Sequence, residues 1–126
     1  MARILVVDDD PDVVESLTVV LERAGHTVNG AKNRKEGVAA VRREAPDLVV
    51  LDVMMDEPDD GFVLAQDLRR DGFKQPILML TSIGRVMGLS YGTDAVTVPV
   101  DEFVEKPVAP RILLDKVQAL LGRKDG

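Results

Sequence analysis

Three short runs that are apolar at every position constrain the fold of this 126-residue chain most strongly. Residues 4–7, 48–51 and 77–80 read ILVV, LVVL and ILML. A strand with one face in water alternates polar and apolar residues, whereas a parallel strand covered on both faces is apolar throughout. We therefore predict three central strands of a parallel sheet. Weaker patterns at 27–31 and 103–106 have the length of edge strands, which makes five.

Helical patterns fill the intervals between the strands. Asp10 followed by Pro11 suits the N-cap and first position of a helix that ends at Gly25. Asn33 can cap a second helix, and residues 62–70 predict a third. The inward-facing residues predicted for the first two helices are Val13, Val14, Leu17, Val20, Leu21, Ala24, Val38, Ala39 and Val41.

The last helix is predicted to follow Pro110 and to end at Gly122. Its predicted buried residues are Ile112, Leu113, Val117, Leu120 and Leu121. The window 84–92 contains three glycines, each of which costs a helix up to about 1 kcal/mol relative to alanine, so a helix there would be weak.

Alternating strands and helices at these spacings require right-handed crossovers and give a parallel sheet with helices on both faces. We predict an α/β fold of the flavodoxin-like class, a doubly wound sheet in the order 2-1-3-4-5. At this length the chain forms one domain, residues 1–126. Such sheets bind ligands beyond the carboxyl ends of the strands, between the first and third strands.

Charge and composition exclude several classes of protein. The chain has 22 acidic and 16 basic residues, a net charge of −6, which argues against a surface built to bind nucleic acid. It has no cysteine for disulfides or thiolate metal sites, and no apolar run long enough to span a membrane. We expect a cytoplasmic protein without direct nucleic-acid or membrane contact.

Polar residues stand where the strong strands end. Asp8 and Asp9 follow the first strand, Asp52 the third and Thr81 the fourth, and Lys106 ends the fifth. In a parallel sheet these residues share one rim. Two carboxylates about 4 Å apart repel by roughly 4 kcal/mol at an effective dielectric near 20, so three need raised pKa values or a cation. Oxygen donors of this kind favour Mg²⁺.

This set of groups is suited to holding a phosphoryl group. A divalent metal, a lysine charge and a hydroxyl would contact its oxygens, and a carboxylate can accept it as an acyl phosphate. Asp52 is the best-placed nucleophile because the central strand gives it a neighbour on each side.

Four motifs together resemble the receiver domain of two-component response regulators. They are VVDDD at 6–10, LDVMM at 51–55, LTS at 80–82 and FVEKP at 103–107, and they span nearly the whole chain in order. The resemblance implies that Asp52 accepts a phosphoryl group from a phosphohistidine on a sensor histidine kinase or phosphotransfer protein. It also implies that the protein is a switch and not an enzyme. The expected partners are a downstream protein target or a separate effector, and a homodimer is compatible with the resemblance.

The resemblance assigns further roles by position. Asp9 and Asp52 would bind Mg²⁺ with the backbone carbonyl of Met54, and Asp8 would assist through water. Thr81 and Lys106 would contact the phosphoryl oxygens.

Two more positions carry implied roles near the end of the sheet. The Lys106–Pro107 peptide would be cis, which an X–Pro bond tolerates. Phe103 would be the switching aromatic, turning inward when the Thr81 hydroxyl moves toward the phosphoryl group.

Two segments depart from the family pattern. Residues 56–61 (DEPDDG) are slightly longer and more acidic than the usual turn, and we expect 56–60 to be a solvated loop. The segment from Thr81 to Lys106 is a few residues longer than is usual in the family and contains VTVPV at 96–100. In receivers the helix in this segment helps to read out phosphorylation, so we expect an atypical connection between the fourth and fifth strands and a remodelled output surface.

Three other functions fit part of the pattern. The D-x-D spacing at 8–10 suits an aspartate-nucleophile phosphohydrolase with Asp8 as nucleophile and Asp10 as acid, although Pro11 begins a helix there and the chain is short for that fold. A flavin module would need a Ser/Thr/Gly-rich phosphate loop where three aspartates stand. A receiver-like interaction module without phosphoryl turnover is opposed by the retained site residues. We expect no effector domain, which fits a stand-alone regulator or a receiver from a longer protein.

Overall fold

The computed structural model of the protein describes residues 2–53, 60–82, 100–106 and 108–124. The strands within these ranges are β1 (Arg3–Val7), β2 (Thr27–Ala31), β3 (Leu48–Asp52), β4 (Ile77–Ser82) and β5 (Glu102–Lys106). The helices are α1 (Pro11–Arg23), α2 (Arg34–Glu44), α3 (Asp60–Arg70) and the C-terminal helix α4 (Pro110–Lys124). None of the described helices is long and apolar enough to cross a membrane.

The five strands form one parallel sheet in the order β2-β1-β3-β4-β5, which confirms the predicted topology. In the register of the sheet, Val7 pairs with Ala31 on one side and with Leu51 on the other. Asp52 pairs with Leu80 on β4. The ends of β1, β3 and β4 therefore lie at the same rim.

Two hydrophobic cores, one on each face of the sheet, explain the apolar runs. Leu5 and Val7 of β1 pack beneath α2 and α3, whereas Ile4 and Val6 pack beneath α1 and α4. Successive side chains of a strand point to opposite faces, so a strand covered on both faces buries every residue. Each buried Val, Leu or Ile contributes roughly 1.5–3 kcal/mol relative to exposure.

The predicted helix caps are confirmed. The Asp10 side chain accepts a hydrogen bond from the Asp12 amide at 2.9 Å, and Asn33 accepts one from the Glu36 amide at 2.8 Å. Gly25 ends α1 with a φ of 98°, a conformation that favours glycine. Each cap thus satisfies backbone groups that a helix end leaves unpaired.

Three of the predicted inward-facing residues are wrong, because Ala24, Ala39 and Ile112 are exposed. In α2 the buried residues are Gly37 and Ala40, and Ala39 lies about 100° around the helix from Ala40 and about 200° from Gly37. In α4 the fully buried positions follow the spacing of one helix face, and Ile112, 50% exposed, lies off it. These positions are Leu113, Val117 and Leu120.

Several element bounds also differ from the predictions. Asp52 and Thr81 are inside β3 and β4 and do not follow them. Helix α3 begins at Asp60, and α4 continues past Gly122, whose surroundings are open. A single exposed glycine costs a helix at most about 1 kcal/mol, so packing upstream carries the helix through it. The predicted weak helix at 84–92 and residues 96–99 lie outside the described residues.

Arg69 forms hydrogen bonds at the amino ends of β4 and β5, on the side of the sheet opposite the carboxylate rim. Its guanidinium donates to the carbonyl oxygens of Phe73 and Gln75 at 2.9 and 2.8 Å. It also bonds the Asp101 carboxylate at 2.9 Å, which in turn accepts the Ile77 amide at 2.8 Å. The end of α3, the start of β4 and the approach to β5 are therefore joined through one side chain.

We expect Arg69→Ala to lower the free energy of unfolding by about 1.5–3 kcal/mol, the range for hydrogen bonds to a charged group. Arg70→Ala is the matched control, since the ion pair of Arg70 in the described part of the chain is with Asp67, at 3.4 Å on an exposed face, and we expect a loss below about 0.5 kcal/mol. Urea denaturation of both variants measures the difference. Equal losses would contradict a special role for Arg69.

Candidate functional site

Three carboxylates meet at the carboxyl ends of β1 and β3. Asp8 and Asp52 are buried, with 1% and 5% of their surface exposed, whereas Asp9 is exposed. One oxygen of each carboxylate lies within 4.8 Å of the others. The structure thus brings together the three acidic residues that the sequence placed at this rim.

Lys106 reaches this acidic cluster from β5, which is separated from β3 by β4. Its ammonium nitrogen lies 3.1 Å from Oδ1 of Asp52 and 3.3 Å from Oδ2 of Asp8. Partial burial lowers the pKa of Lys106, but the charges and hydrogen bonds of Asp52 and Asp8 outweigh it and raise the pKa above its ordinary 10.5. Lys106 is therefore charged at neutral pH.

Asp8 is held in place from several sides. Its Oδ1 accepts a hydrogen bond from the Asp10 amide at 3.0 Å, and its Oδ2 contacts Lys106. Its own amide donates to the carbonyl of Ala31 at 3.0 Å. Both oxygens of Asp8 therefore accept hydrogen bonds from the protein, whereas Asp9 is exposed to solvent.

The donor set fits a hard divalent cation. Within the described ranges, three carboxylates face the Lys106 ammonium, and one of them, Asp9, is exposed to water; carboxylate oxygens of this kind are ligands that Mg²⁺ takes. Two predicted features of this region, the carbonyl of Met54 and the Lys106–Pro107 peptide bond, involve residues outside the described ranges.

Thr81 lies on the strand beside Asp52. It is fully buried, it follows Leu80, the partner of Asp52, and it pairs in register with Glu105. Its position on β4, next to β3, is the one that the sequence indicated.

Phe103 is half-buried on the face of the sheet that α2 and α3 cover. It pairs in register with Met79, and its ring centroid lies 6.4 Å from that of Phe62, at an interplanar angle of 55°. This tilted arrangement is one that aromatic pairs favour. The candidate switch residue therefore contacts the first turn of α3.

The sequence interpretation missed two residues at the start of α3. Asp60, expected in a solvated loop, is 7% exposed and lies 3.6 Å from the Arg34 guanidinium. Gly61 donates its amide hydrogen to the carbonyl of Val53 at 2.9 Å. An acidic residue just before an apolar helical run is typical of a helix start, and this signal could have found Asp60.

Comparison with protein families gives one match that covers most of the chain. The family model described as response regulator receiver domain matches residues 4–118. The four motifs at the strand ends all lie within this range.

Curated proteins similar to the chain are regulators roughly twice its length. The DNA-binding dual master transcriptional regulator RpaA of Synechocystis sp. is 38% identical over 127 residues, covering 99% of this chain and 51% of RpaA. The alkaline phosphatase synthesis transcriptional regulatory protein PhoP of Bacillus subtilis is 37% identical, covering 98% of this chain and 50% of PhoP. The chain thus spans about half the length of the curated relatives it matches.

Solved structures with the same fold include chains of similar size that this chain covers almost entirely. A two-component response regulator from Clostridium difficile superimposes with a TM-score of 0.85 at 27% identity, covering 100% of both chains. The receiver domain of NtrX from Brucella abortus gives a TM-score of 0.83 at 27% identity, covering 94% of this chain and 98% of that one.

The contacts of Lys106 predict how its pKa responds to substitution. We expect Asp52→Asn to lower the pKa of Lys106, and Asp8→Asn with Asp52→Asn to lower it further, because burial then acts without the opposing charges. Because the folded pKa is raised, the stability from this contact is complete below the ordinary lysine pKa and is lost as pH rises through the folded value. NMR titration of the lysine side chain without divalent ions measures the shift.

Asp71→Asn, beyond the last turn of α3, is the control for this titration and should leave the pKa of Lys106 unchanged, since Asp71 is exposed and pairs with Arg42 at 2.8 Å. A pKa that is the same in wild type and in the double variant would show that Lys106 does not depend on these carboxylates in solution.

Proposed function

Because the chain belongs to the response regulator receiver domain family, we propose that it is a phosphoacceptor switch in which Asp52 takes a phosphoryl group from a phosphohistidine on a sensor histidine kinase or phosphotransfer protein. The observation that carries the proposal is the placement of Asp52. It ends the central strand, is buried, and lies 3.1 Å from the ammonium of Lys106.

In the proposed transfer, a carboxylate oxygen of Asp52 attacks phosphorus. The new P–O bond forms as the P–N bond to the donor histidine breaks, and the imidazole nitrogen keeps the bonding electron pair. The ammonium of Lys106 already lies beside the attacking carboxylate and neutralises charge on the phosphoryl oxygens. The raised pKa of Lys106 keeps this charge present throughout the neutral range.

Mg²⁺ is the proposed cofactor. When bound by Asp9 and Asp52 together with the carbonyl of Met54, it supplies positive charge to the phosphoryl oxygens. Asp8 would hold Lys106 in place through their ion pair and would contact the ion through a water molecule. The exposure of Asp9 and the oxygen-only donor set support the assignment.

The proposed switch couples Asp52 to Phe103. The Thr81 hydroxyl would donate to a phosphoryl oxygen, and Phe103 would move inward into space near Thr81. The burial of Thr81 and the half-buried position of Phe103 support this assignment, since a half-buried ring on an edge strand has room to change its packing.

The proposed output is through protein contacts, to a downstream target, a separate effector or a second copy. RpaA is named as DNA-binding, and the chain spans about half of it, so the expectation of no nucleic-acid contact concerns residues 1–126 alone. We propose a cytoplasmic location and no turnover of external substrates beyond self-phosphorylation from small phosphodonors and autodephosphorylation.

Incubation with acetyl phosphate and Mg²⁺ tests the phosphoacceptor. We expect wild type to gain the mass of one phosphoryl group, Asp52→Ala to gain none, and Asp9→Asn to bind Mg²⁺ about tenfold or more weakly, since even outer partners of metal ligands contribute 10–100-fold. Asp71→Asn, beyond the far end of α3, is the matched acidic control and should resemble wild type. Intact mass spectrometry and calorimetric Mg²⁺ titration provide the measurements.

The outcomes separate the alternative functions. No modification of wild type would favour an interaction module without phosphoryl turnover, and hydrolysis of a phosphomonoester with multiple turnovers would favour a phosphohydrolase. Modification that persists in Asp52→Ala would place the acceptor elsewhere.

Fluorine NMR tests the switch, because the chain has only three phenylalanines, one of which is Phe103. With fluorophenylalanine incorporated, we expect the Phe103 resonance to shift when beryllofluoride and Mg²⁺ are added, and Thr81→Val to suppress that shift. Phe73, which packs at the other end of α3 beside Arg69, is the internal control and should stay unchanged. A Phe103 shift of equal size in Thr81→Val would contradict the coupling.

A further inference from the structure

Gly61 lies against the peptide backbone that follows Asp52. Its amide donates to the carbonyl of Val53 at 2.9 Å. A Cβ atom on Gly61 would overlap the carbonyl oxygen of Asp52 and lie 2.7 Å from Cα of Val53, closer than real Cβ contacts occur. Both neighbours are backbone atoms, so no change of rotamer can relieve the overlap.

The backbone on the other side of this contact has little freedom. The Val53 amide donates to the carbonyl of Leu80 at 3.0 Å, and Val53 is 2% exposed. Asp52 itself pairs with β4 in the middle of the sheet. A side chain at position 61 must therefore displace either the start of α3 or the 52–53 peptide.

We propose that Gly61 is a positioning residue for Asp52. The missing side chain lets α3 begin directly against the 52–53 peptide, and this contact sets where the Asp52 carboxylate lies relative to Lys106, 3.1 Å away. The inference rests on the proposed function of Asp52 as phosphoacceptor. Group transfer is sensitive to such placement, because a misplacement of about 1 Å can reduce a rate 100-fold.

Two other helical glycines provide matched controls. A Cβ on Gly37 would lie 2.9 Å from Cδ2 of Leu64, the end of a flexible side chain that can move, and a Cβ on Gly122 would meet nothing within 4 Å. All three glycines lie in helices, where alanine is favoured over glycine by roughly 0.5–1 kcal/mol. Only at Gly61 does the new methyl group meet backbone beside the site.

The experiment compares Gly61→Ala, Gly37→Ala and Gly122→Ala in the whole chain. The rate of phosphorylation by acetyl phosphate is measured at saturating Mg²⁺, alongside urea denaturation and amide NMR shifts. We expect Gly61→Ala to remain folded, to react about tenfold or more slowly and to shift the amides of Asp52 and Val53. The two control variants should react within about twofold of wild type, whatever change urea denaturation shows in their free energies of unfolding.

Two results would overturn the inference: a Gly61→Ala rate within about twofold of wild type, or an equal rate loss in Gly37→Ala, which would indicate general destabilisation. Failure of the proposed function would look different, since wild type itself would then remain unmodified or Asp52→Ala would react.

A measurement on the wild-type chain keeps the inference testable if Gly61→Ala does not fold. Binding of beryllofluoride and Mg²⁺ should slow hydrogen exchange of the Gly61 amide, because we expect its hydrogen bond to the Val53 carbonyl to open less often when the site is occupied. The amide of Asp71, bonded to Asp67 at the far end of α3, is the control. Unchanged exchange at Gly61 would overturn the inference.

Discussion

The contact of two buried carboxylates with one ammonium is the interaction on which the rest of the site depends. Asp8 and Asp52 come from the ends of the central strands and are buried, and burying a carboxylate is costly unless a cation lies beside it. Lys106 supplies that cation from β5. The parallel topology makes this possible, because it places every carboxyl end at one rim, and it leaves Asp9 at the water-filled side, where an ion can enter.

Helix α3 connects this rim to the rest of the molecule at both of its ends. Its first turn places Gly61 against the 52–53 peptide and Phe62 against Phe103, so one helix start touches both the proposed phosphoacceptor and the candidate switch residue. At its last turn, Arg69 ties the helix to the starts of β4 and β5. A displacement of α3 would thus reach the site and the edge strand together.

Much of the fold was predictable because burial on both faces leaves a simple signature. The apolar strands and the helix caps at Asp10 and Asn33 follow from local rules, and the strand order follows from the doubly wound topology that alternating strands and helices favour. The errors at Ala39 and Ile112 have one cause, which is that apolar residues adjacent in sequence lie about 100° apart on a helix. Which of them is buried depends on the element that packs against the helix. For α2 that element is α3, whose Leu64 side chain packs closely on Gly37.

The sequence by itself determined the sheet, its order and the residue types at its carboxyl rim, because each strand carries its own polar residue at its end. It could not determine which carboxylates Lys106 would contact, that Asp60 would be buried beside Arg34, or that Gly61 would lie against the backbone of Asp52. Those facts arise between segments far apart in the chain. Only the packing of α3 and β5 against the central strands sets these distances, and such long-range contacts leave no periodic pattern in the local sequence.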